Sequence, residues 1–89
     1  MIFLMPSYIS GPKTCIPCSE VDADYSGNNI VPKISNVNSA EECRDHCLAT
    51  PDCHILVFAP MWGECFLKDE GALAEKRTLE GAIAALMTC

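Results

Sequence analysis

Residues 39–53 read SAEECRDHCLATPDC, and this segment decides how the rest of the chain can fold. Ser39 followed by Glu42 is a capping box, in which the serine hydroxyl accepts from the third helical amide while the glutamate side chain reaches back. Good helix formers and negative charge fill the first turn. Pro51 ends the helix. The segment therefore predicts one short, well-capped helix.

The two cysteines inside this helix define its buried side. Cys43 and Cys47 are four residues apart, so they lie on one face of the helix, with Leu48 beside them. A third cysteine, Cys53, follows just after the predicted helix end. The spacing therefore predicts a helix that is anchored twice along its buried stripe.

Composition explains why such anchors are needed. The chain has 89 residues, of which 7 are cysteines and 49% are hydrophobic. A chain of this length forms one domain at most, and its core alone is marginal. Dense cysteine in a short chain indicates a disulfide framework and an oxidising compartment. We therefore expect a secreted, extracellular protein that needs no cofactor.

The charge balance excludes two classes of partner. The net charge is -6, and the 6 basic residues are scattered. Recognition of nucleic acid or of an anionic membrane needs clustered Lys and Arg. No apolar run approaches the ~18–20 residues of a membrane-spanning helix, and residues 1–5 lack the features of a signal peptide. We expect neither a nucleic-acid partner nor direct membrane insertion.

Zinc is one competing interpretation of the thiols. Cys43, Cys47 and Cys53 could be arranged around a metal ion together with His46 and His54. The sequence contains no second Cys-x2-Cys pair, however, and His46 lies one position off the cysteine stripe. These departures favour disulfides over a metal site.

Redox chemistry and calcium binding are also disfavoured. Cys15 and Cys18 form a Cys-x2-Cys pair, but a polar stretch follows where a redox motif would open a helix. Asp22 and Asp24 lack the regular oxygen-ligand spacing of a calcium loop. We predict no bound metal.

Apolar patterns predict the strands. The β-branched and aromatic run 54–59 is expected to be the central strand. Residues 60–63 form a hairpin tip, and residues 64–68 return with a period of two. Residues 30–34 are expected to form an edge strand, because Pro32 cannot donate a ladder hydrogen bond.

The remaining segments carry weaker signals. Residues 19–29 look like a polar turn region, and residues 69–78 like a charged, mobile loop. Residues 79–87 have a helical composition, rich in alanine and leucine.

Internal sequence similarity indicates a repeat. Residues 9–15 align with residues 83–89 at an offset of 74, and Ile, Thr and Cys match. The span from Cys18 to Cys89 plus a two-residue linker has the same length. We therefore divide the chain into residues 1–17, the tail and linker of a preceding repeat or a vector-derived remnant, and residues 18–89, one complete unit.

Several short motifs occur in one order along the chain, and they are an early cysteine, residues 25–30 (YSGNNI), 39–47 (SAEECRDHC), 51–53 (PDC), 57–60 (VFAP), 63–68 (GECFLK) and a terminal cysteine. Together they resemble a known family, the PAN/apple domain, and in particular the tandem apple domains of apicomplexan microneme adhesins. The resemblance implies an α+β fold, in which a curled five-stranded antiparallel sheet surrounds one helix. It also implies that residues 82–88 form a strand pairing with the first, against their helical composition.

The resemblance further implies three disulfides, which are Cys18–Cys89, Cys43–Cys65 and Cys47–Cys53. The sequence by itself could not choose this pairing, because six cysteines allow 15 connectivities. Cys15 has no place in it. We expect Cys15 to stay unpaired or to compete with Cys18 for Cys89.

Apple domains are binding modules, so the resemblance implies adhesion rather than catalysis. The expected partners are a host-cell surface protein or glycan, other adhesin subunits, and neighbouring apple domains in tandem. If the chain is apicomplexan, the microneme is its expected compartment.

The alternative function is a structural spacer without a ligand, which the short, proline-stiffened linker Ile16-Pro17 favours. His46 and His54 are expected to be surface or packing residues, so we predict no catalytic residues.

Three residues are candidates for ligand binding. Trp62, at the hairpin tip, would be an aromatic anchor if exposed, or would otherwise half-bury over the sheet. Lys68 ends the Cys-Phe-Leu-Lys run, and it could instead make a structural contact. Lys33, on the predicted edge strand, could instead be a charge that protects the edge.

Overall fold

The computed structural model describes residues 18–87. Along the chain they form β1 (Ser19–Tyr25), α1 (Ala40–Leu48), β2 (Ile55–Ala59), β3 (Glu64–Lys68), a 3₁₀-helix (Glu70–Glu75) and β4 (Lys76–Leu86). The strands make one antiparallel sheet in the order β1-β4-β2-β3. Within residues 18–87, no helix is long and apolar enough to cross a membrane.

The helix begins where the capping box predicts. The Ser39 hydroxyl accepts from the Glu42 amide at 3.1 Å. The Glu42 carboxylate reaches back to the amide of Asn38 at 3.0 Å, one residue before the N-cap. Both helix cysteines are buried, but Leu48 is 61% exposed. The predicted helix is confirmed, whereas Leu48 lies off its buried face.

Two disulfides have both cysteines among the described residues. Cys43–Cys65 joins α1 to β3, and Cys47–Cys53 closes the turn after the helix. These are two of the three pairs that the resemblance implies.

The remaining cysteine predictions reach beyond the described part of the chain. Cys18 is disulfide-bonded. Its predicted partner Cys89 lies outside the described residues, as do Cys15 and the proposed repeat tail of residues 1–17.

The central strand and hairpin are confirmed. All five residues of β2 are buried, and β2 pairs with β4 on one side and β3 on the other. The hairpin turn that joins β2 to β3 is closed by hydrogen bonds from Trp62 to Ala59 and from Gly63 to Pro60. Gly63 has φ +64°, a conformation that glycine adopts without strain.

The fifth strand is a correction, because the sheet of residues 18–87 has four strands. The expected edge strand, residues 30–34, contributes only an isolated bridge from Ile34 to Cys65, and a second bridge joins Asn29 to Lys68. Ile30 and Ile34 are four residues apart, but they bond to Leu67 and Cys65, which are two apart. The extra residues around Pro32 therefore loop out, and no regular ladder forms.

Two segments without a strand signal belong to the sheet. Residues 19–25 of the expected polar turn form β1. The tail is strand rather than helix and pairs with β1, as the resemblance implies. β4 also starts earlier than predicted, at Lys76. Helix propensity fails here because β4 lies between β1 and β2, and its backbone bonds to both.

The expected mobile loop, residues 69–78, is also a correction. It contains the 3₁₀-helix and the start of β4. The Asp69 side chain caps the 3₁₀-helix by accepting from the Gly71 amide at 2.8 Å. Ala72 is fully buried, which fixes the helix against the sheet.

Alternation along the strands sorts the core onto two faces. We call the side that packs on α1 the helix face, and it buries the cluster Val37, Ala40, Cys43, Cys47, Leu56, Phe58, Cys65, Leu67, Ile83 and Ala85. We call the other side the open face, and it buries Ala23, Tyr25, Ile55, Val57, Ala72, Ala82 and Ala84, with Phe66, Leu79 and Leu86 half-buried beside them. Within residues 18–87, the short 3₁₀-helix covers part of the open face through Ala72.

Candidate functional site

A pocket opens on the open face, between the hairpin tip and the ends of β1, β3 and β4. Its volume is about 240 Å³, slightly below the ~300 Å³ at which small-molecule sites begin. It is lined by Asp24, Ser26, Gly27, Asn29, Val57, Trp62, Phe66, Lys68, Arg77 and Leu79. The space suits one side chain or one ring of a larger ligand.

The buried cation of the pocket is Lys68, the last residue of β3. Its side chain is on the open face because β3 alternates, and the residue is 4% exposed. The ammonium donates to the carbonyl of Gly27 at 3.0 Å and to the side-chain oxygen of Asn29 at 2.7 Å. It also lies 5.7 Å from the centre of the Phe66 ring. Lys68 thus holds the loop after β1 against β3.

Burial lowers the pKa of Lys68 below the ordinary lysine value. The charge of Asp24 opposes this shift, and the charge of Arg77 adds to it. The three charges therefore act on one another across the pocket.

A second cation in the pocket is paired. The Arg77 Nε donates to Asp24 Oδ2 at 2.6 Å, which joins β4 to β1. The Asp24 side chain is 8% exposed, whereas that of Arg77 is 60% exposed. The carboxylate is thus buried, whereas the guanidinium that pairs with it extends toward solvent.

Apolar side chains form the rest of the wall. Val57 is buried in β2, while Phe66 and Leu79 are half-buried. Trp62 is 59% exposed at the rim, so its ring is available to a ligand. Its neighbour Met61 packs toward β4, because a Cβ on Gly81 would lie 3.2 Å from the Met61 terminal methyl. The tip therefore lies close to β4, an interior strand of the sheet.

The structure brings two of the three predicted ligand residues together. Trp62 and Lys68 line the same pocket. Lys33 does not line it, and instead forms an ion pair with Glu64 at 2.8 Å. That contact agrees with a structural role for Lys33 beside the β3 edge.

Sequence reasoning missed most of the pocket. From the sequence, Asp24 is a candidate only for a calcium ligand, and Arg77 falls in the expected mobile loop. One usable signal was present, because a period of two along Cys-Phe-Leu-Lys places Phe66 and Lys68 on the same face.

The two histidines lie elsewhere. His46 is half-buried on α1, and His54 is exposed in a separate depression that also contains Asp52 and Asp69. Across residues 18–87, no group of three or more His, Cys, Asp or Glu side chains is arranged to hold a metal ion.

Comparison with known proteins places this architecture. The fold is similar to the solution structure of the two N-terminal apple domains of Toxoplasma gondii microneme protein 4, with a TM-score of 0.70 and 24% sequence identity. The match covers 79% of this chain and 44% of that two-domain chain. No curated protein matches the sequence. The family model for the PAN domain matches residues 18–84, and the chain belongs to the PAN domain family.

Proposed function

We propose that this chain is a non-catalytic adhesion module of a secreted, multi-repeat protein, which makes protein–protein or protein–carbohydrate contacts in host-cell attachment. The observation that supports this most directly is the open-face pocket with Trp62 exposed at its rim. A large aromatic side chain beside a partly polar cavity is a common anchor for either class of ligand.

Secretion and multiplicity complete the proposal. Two described disulfides and a fifth bonded cysteine, Cys18, fit an oxidising compartment, such as the extracellular space or the microneme. Tandem display of weak sites would raise avidity by ~10²–10⁴ where the geometry permits. The alternative role, a spacer between domains, has support only from the linker sequence Ile16-Pro17, which lies outside the described residues.

The test is binding by the multivalently displayed domain to a glycan array and to host-cell surface proteins. Trp62→Ala should weaken binding to the ligand found, because it removes the rim of the pocket. Leu48→Ala is the matched control, since Leu48 is equally exposed but lies on the helix. Binding that survives Trp62→Ala would place the ligand elsewhere, and a folded domain that binds nothing in either assay would favour the spacer.

A further inference from the structure

We propose that the pocket on the open face binds the carboxylate of an acidic side chain presented by a partner protein, and that Lys68 contacts this carboxylate. The inference deepens the proposed adhesion function and rests on it. It follows from the charge of the pocket, its unused hydrogen-bond donors and the chemistry of its walls.

The charge of the pocket is opposite to that of the molecule. Its lining contains two cations, Lys68 and Arg77, and one carboxylate, Asp24, so its formal charge is +1. The whole chain has a net charge of -6. A partner anion is therefore attracted to this place, whereas the molecule as a whole repels it.

Lys68 and Arg77 each have N–H groups left to donate hydrogen bonds to such an anion. A lysine ammonium has three N–H donors, and among residues 18–87 Lys68 has two hydrogen-bond acceptors, Gly27 and Asn29. Arg77 uses only Nε toward Asp24 within the described residues, which leaves its terminal nitrogens. A carboxylate with two oxygens could accept from both side chains, and charge-assisted bonds of this kind are the strong ones.

The apolar part of the wall suits the methylenes of an acidic side chain. Val57, Phe66 and Leu79 carry no polar group on their side chains. The methylenes of a glutamate would lie against these side chains while its carboxylate reaches the cations, and Trp62 would cover a neighbouring apolar residue of the partner.

The direct test is titration of ¹⁵N-labelled protein with a doubly blocked Leu-Glu-Leu peptide, with Leu-Gln-Leu as the neutral control. The glutamate peptide should shift the amide signals of Gly27 and Lys68 and the indole signal of Trp62. The glutamine peptide should bind at least ~10-fold more weakly. Salt near ~1 M, where the Debye length is ~3 Å, should weaken the glutamate complex severalfold.

Three variants locate the interaction. Lys68→Met should reduce affinity for the glutamate peptide ~10-fold or more. Asp24→Asn should increase it ~3-fold, because the pocket then carries two cations and no carboxylate while Arg77 keeps an oxygen acceptor. Lys33→Met removes the same charge from the chain outside the pocket, and it should leave affinity within about twofold.

The design keeps the inference separate from the proposed function. If Lys68→Met fails to fold, Asp24→Asn still decides, since unchanged or weaker binding would overturn the inference. Equal affinity for the two peptides, or shifts confined to the helix, would do the same. Trp62-dependent binding to a neutral glycan, with no response to the glutamate peptide, would leave the adhesion function standing and reject the acidic ligand.

Discussion

The two faces of the sheet are built for different tasks. On the helix face, Cys43 and Cys65 are fully buried and bonded to each other, and apolar side chains surround them. On the open face, Lys68 and Asp24 are buried with polar partners around a pocket that reaches solvent. Both faces bury apolar residues, but the disulfide between helix and sheet lies on one face and the polar pocket opens on the other.

The same strands supply both faces. In β3, Cys65 and Leu67 are on the helix face, whereas Phe66 and Lys68 are on the open face. Substitutions of adjacent residues therefore test opposite sides of the molecule. The following predictions use this property, from the largest expected effect to the smallest.

The largest effect should follow removal of the disulfide between α1 and β3. A Cys43→Ala/Cys65→Ala double variant loses a cross-link with a sequence separation of 22, which should cost up to ~5 kcal/mol and could abolish folding at about 37 °C. Small domains have only ~5–15 kcal/mol in total. Urea unfolding followed by far-UV circular dichroism measures the loss.

The matched control is Cys47→Ala/Cys53→Ala, which removes a cross-link with a separation of 6. That change should cost about 2 kcal/mol. If the control were the more damaging of the two, the helix would depend on its own turn rather than on its bond to the sheet.

A smaller difference should separate two neighbours on β3. Leu67 is fully buried on the helix face, so Leu67→Ala should cost ~2–5 kcal/mol. Phe66 is half-buried at the pocket, so Phe66→Ala should cost only ~1–2 kcal/mol, because solvent already reaches its ring. Urea midpoints of the two variants measure the order, and the reverse order would mean that the open face carries the core.

The helix face was largely predictable because its signals are local. Ser39 and Glu42 start α1 within one turn, and the continuous apolar run of β2 identifies a buried strand without any knowledge of its neighbours. The hairpin tip at 60–63 connects two adjacent strands, so it too could be located from a few residues.

The open face was not predictable because its contacts are distant in sequence. Lys68 meets Gly27 across 41 residues, and Arg77 meets Asp24 across 53. β1 is mostly polar and is distorted at Asp22, whose φ of +58° breaks the pattern of alternation. The Asp22 carboxylate accepts a hydrogen bond from the Gly81 amide at 2.8 Å, at the register shift between β1 and β4. No local rule indicates such a pairing.

At alkaline pH, Lys68 and Lys76 should change the stability of the fold in opposite directions. Burial lowers the pKa of Lys68 in the folded state, so the unfolded chain binds more protons in the interval just below the ordinary lysine value. Stability from Lys68 should therefore rise with pH there. Lys76 donates a hydrogen bond to the Glu20 carboxylate, which raises the pKa of Lys76. The stability from Lys76 is fully present below the ordinary value, and is lost as pH passes the raised one.

The measurement is the free energy of unfolding from about pH 8 to pH 11, a range that brackets the lysine pKa of ~10.4. Relative to Lys68→Met, the wild-type protein should gain stability as pH rises. Relative to Lys76→Met, it should lose stability. Parallel curves for the two comparisons would contradict the burial of the Lys68 ammonium.

The smallest effect on stability should come from Trp62→Ala. The indole is 59% exposed, and surface substitutions usually change stability by less than about 0.5 kcal/mol. Trp62 is the one tryptophan of the chain, so unfolding must be followed by circular dichroism rather than by fluorescence. Leu48→Ala on the helix should behave in the same way. A loss of stability comparable to that of Leu67→Ala would show that Trp62 is a core residue of the open face. In that case the hairpin tip would be needed for folding, and Trp62→Ala could not be used to test binding alone.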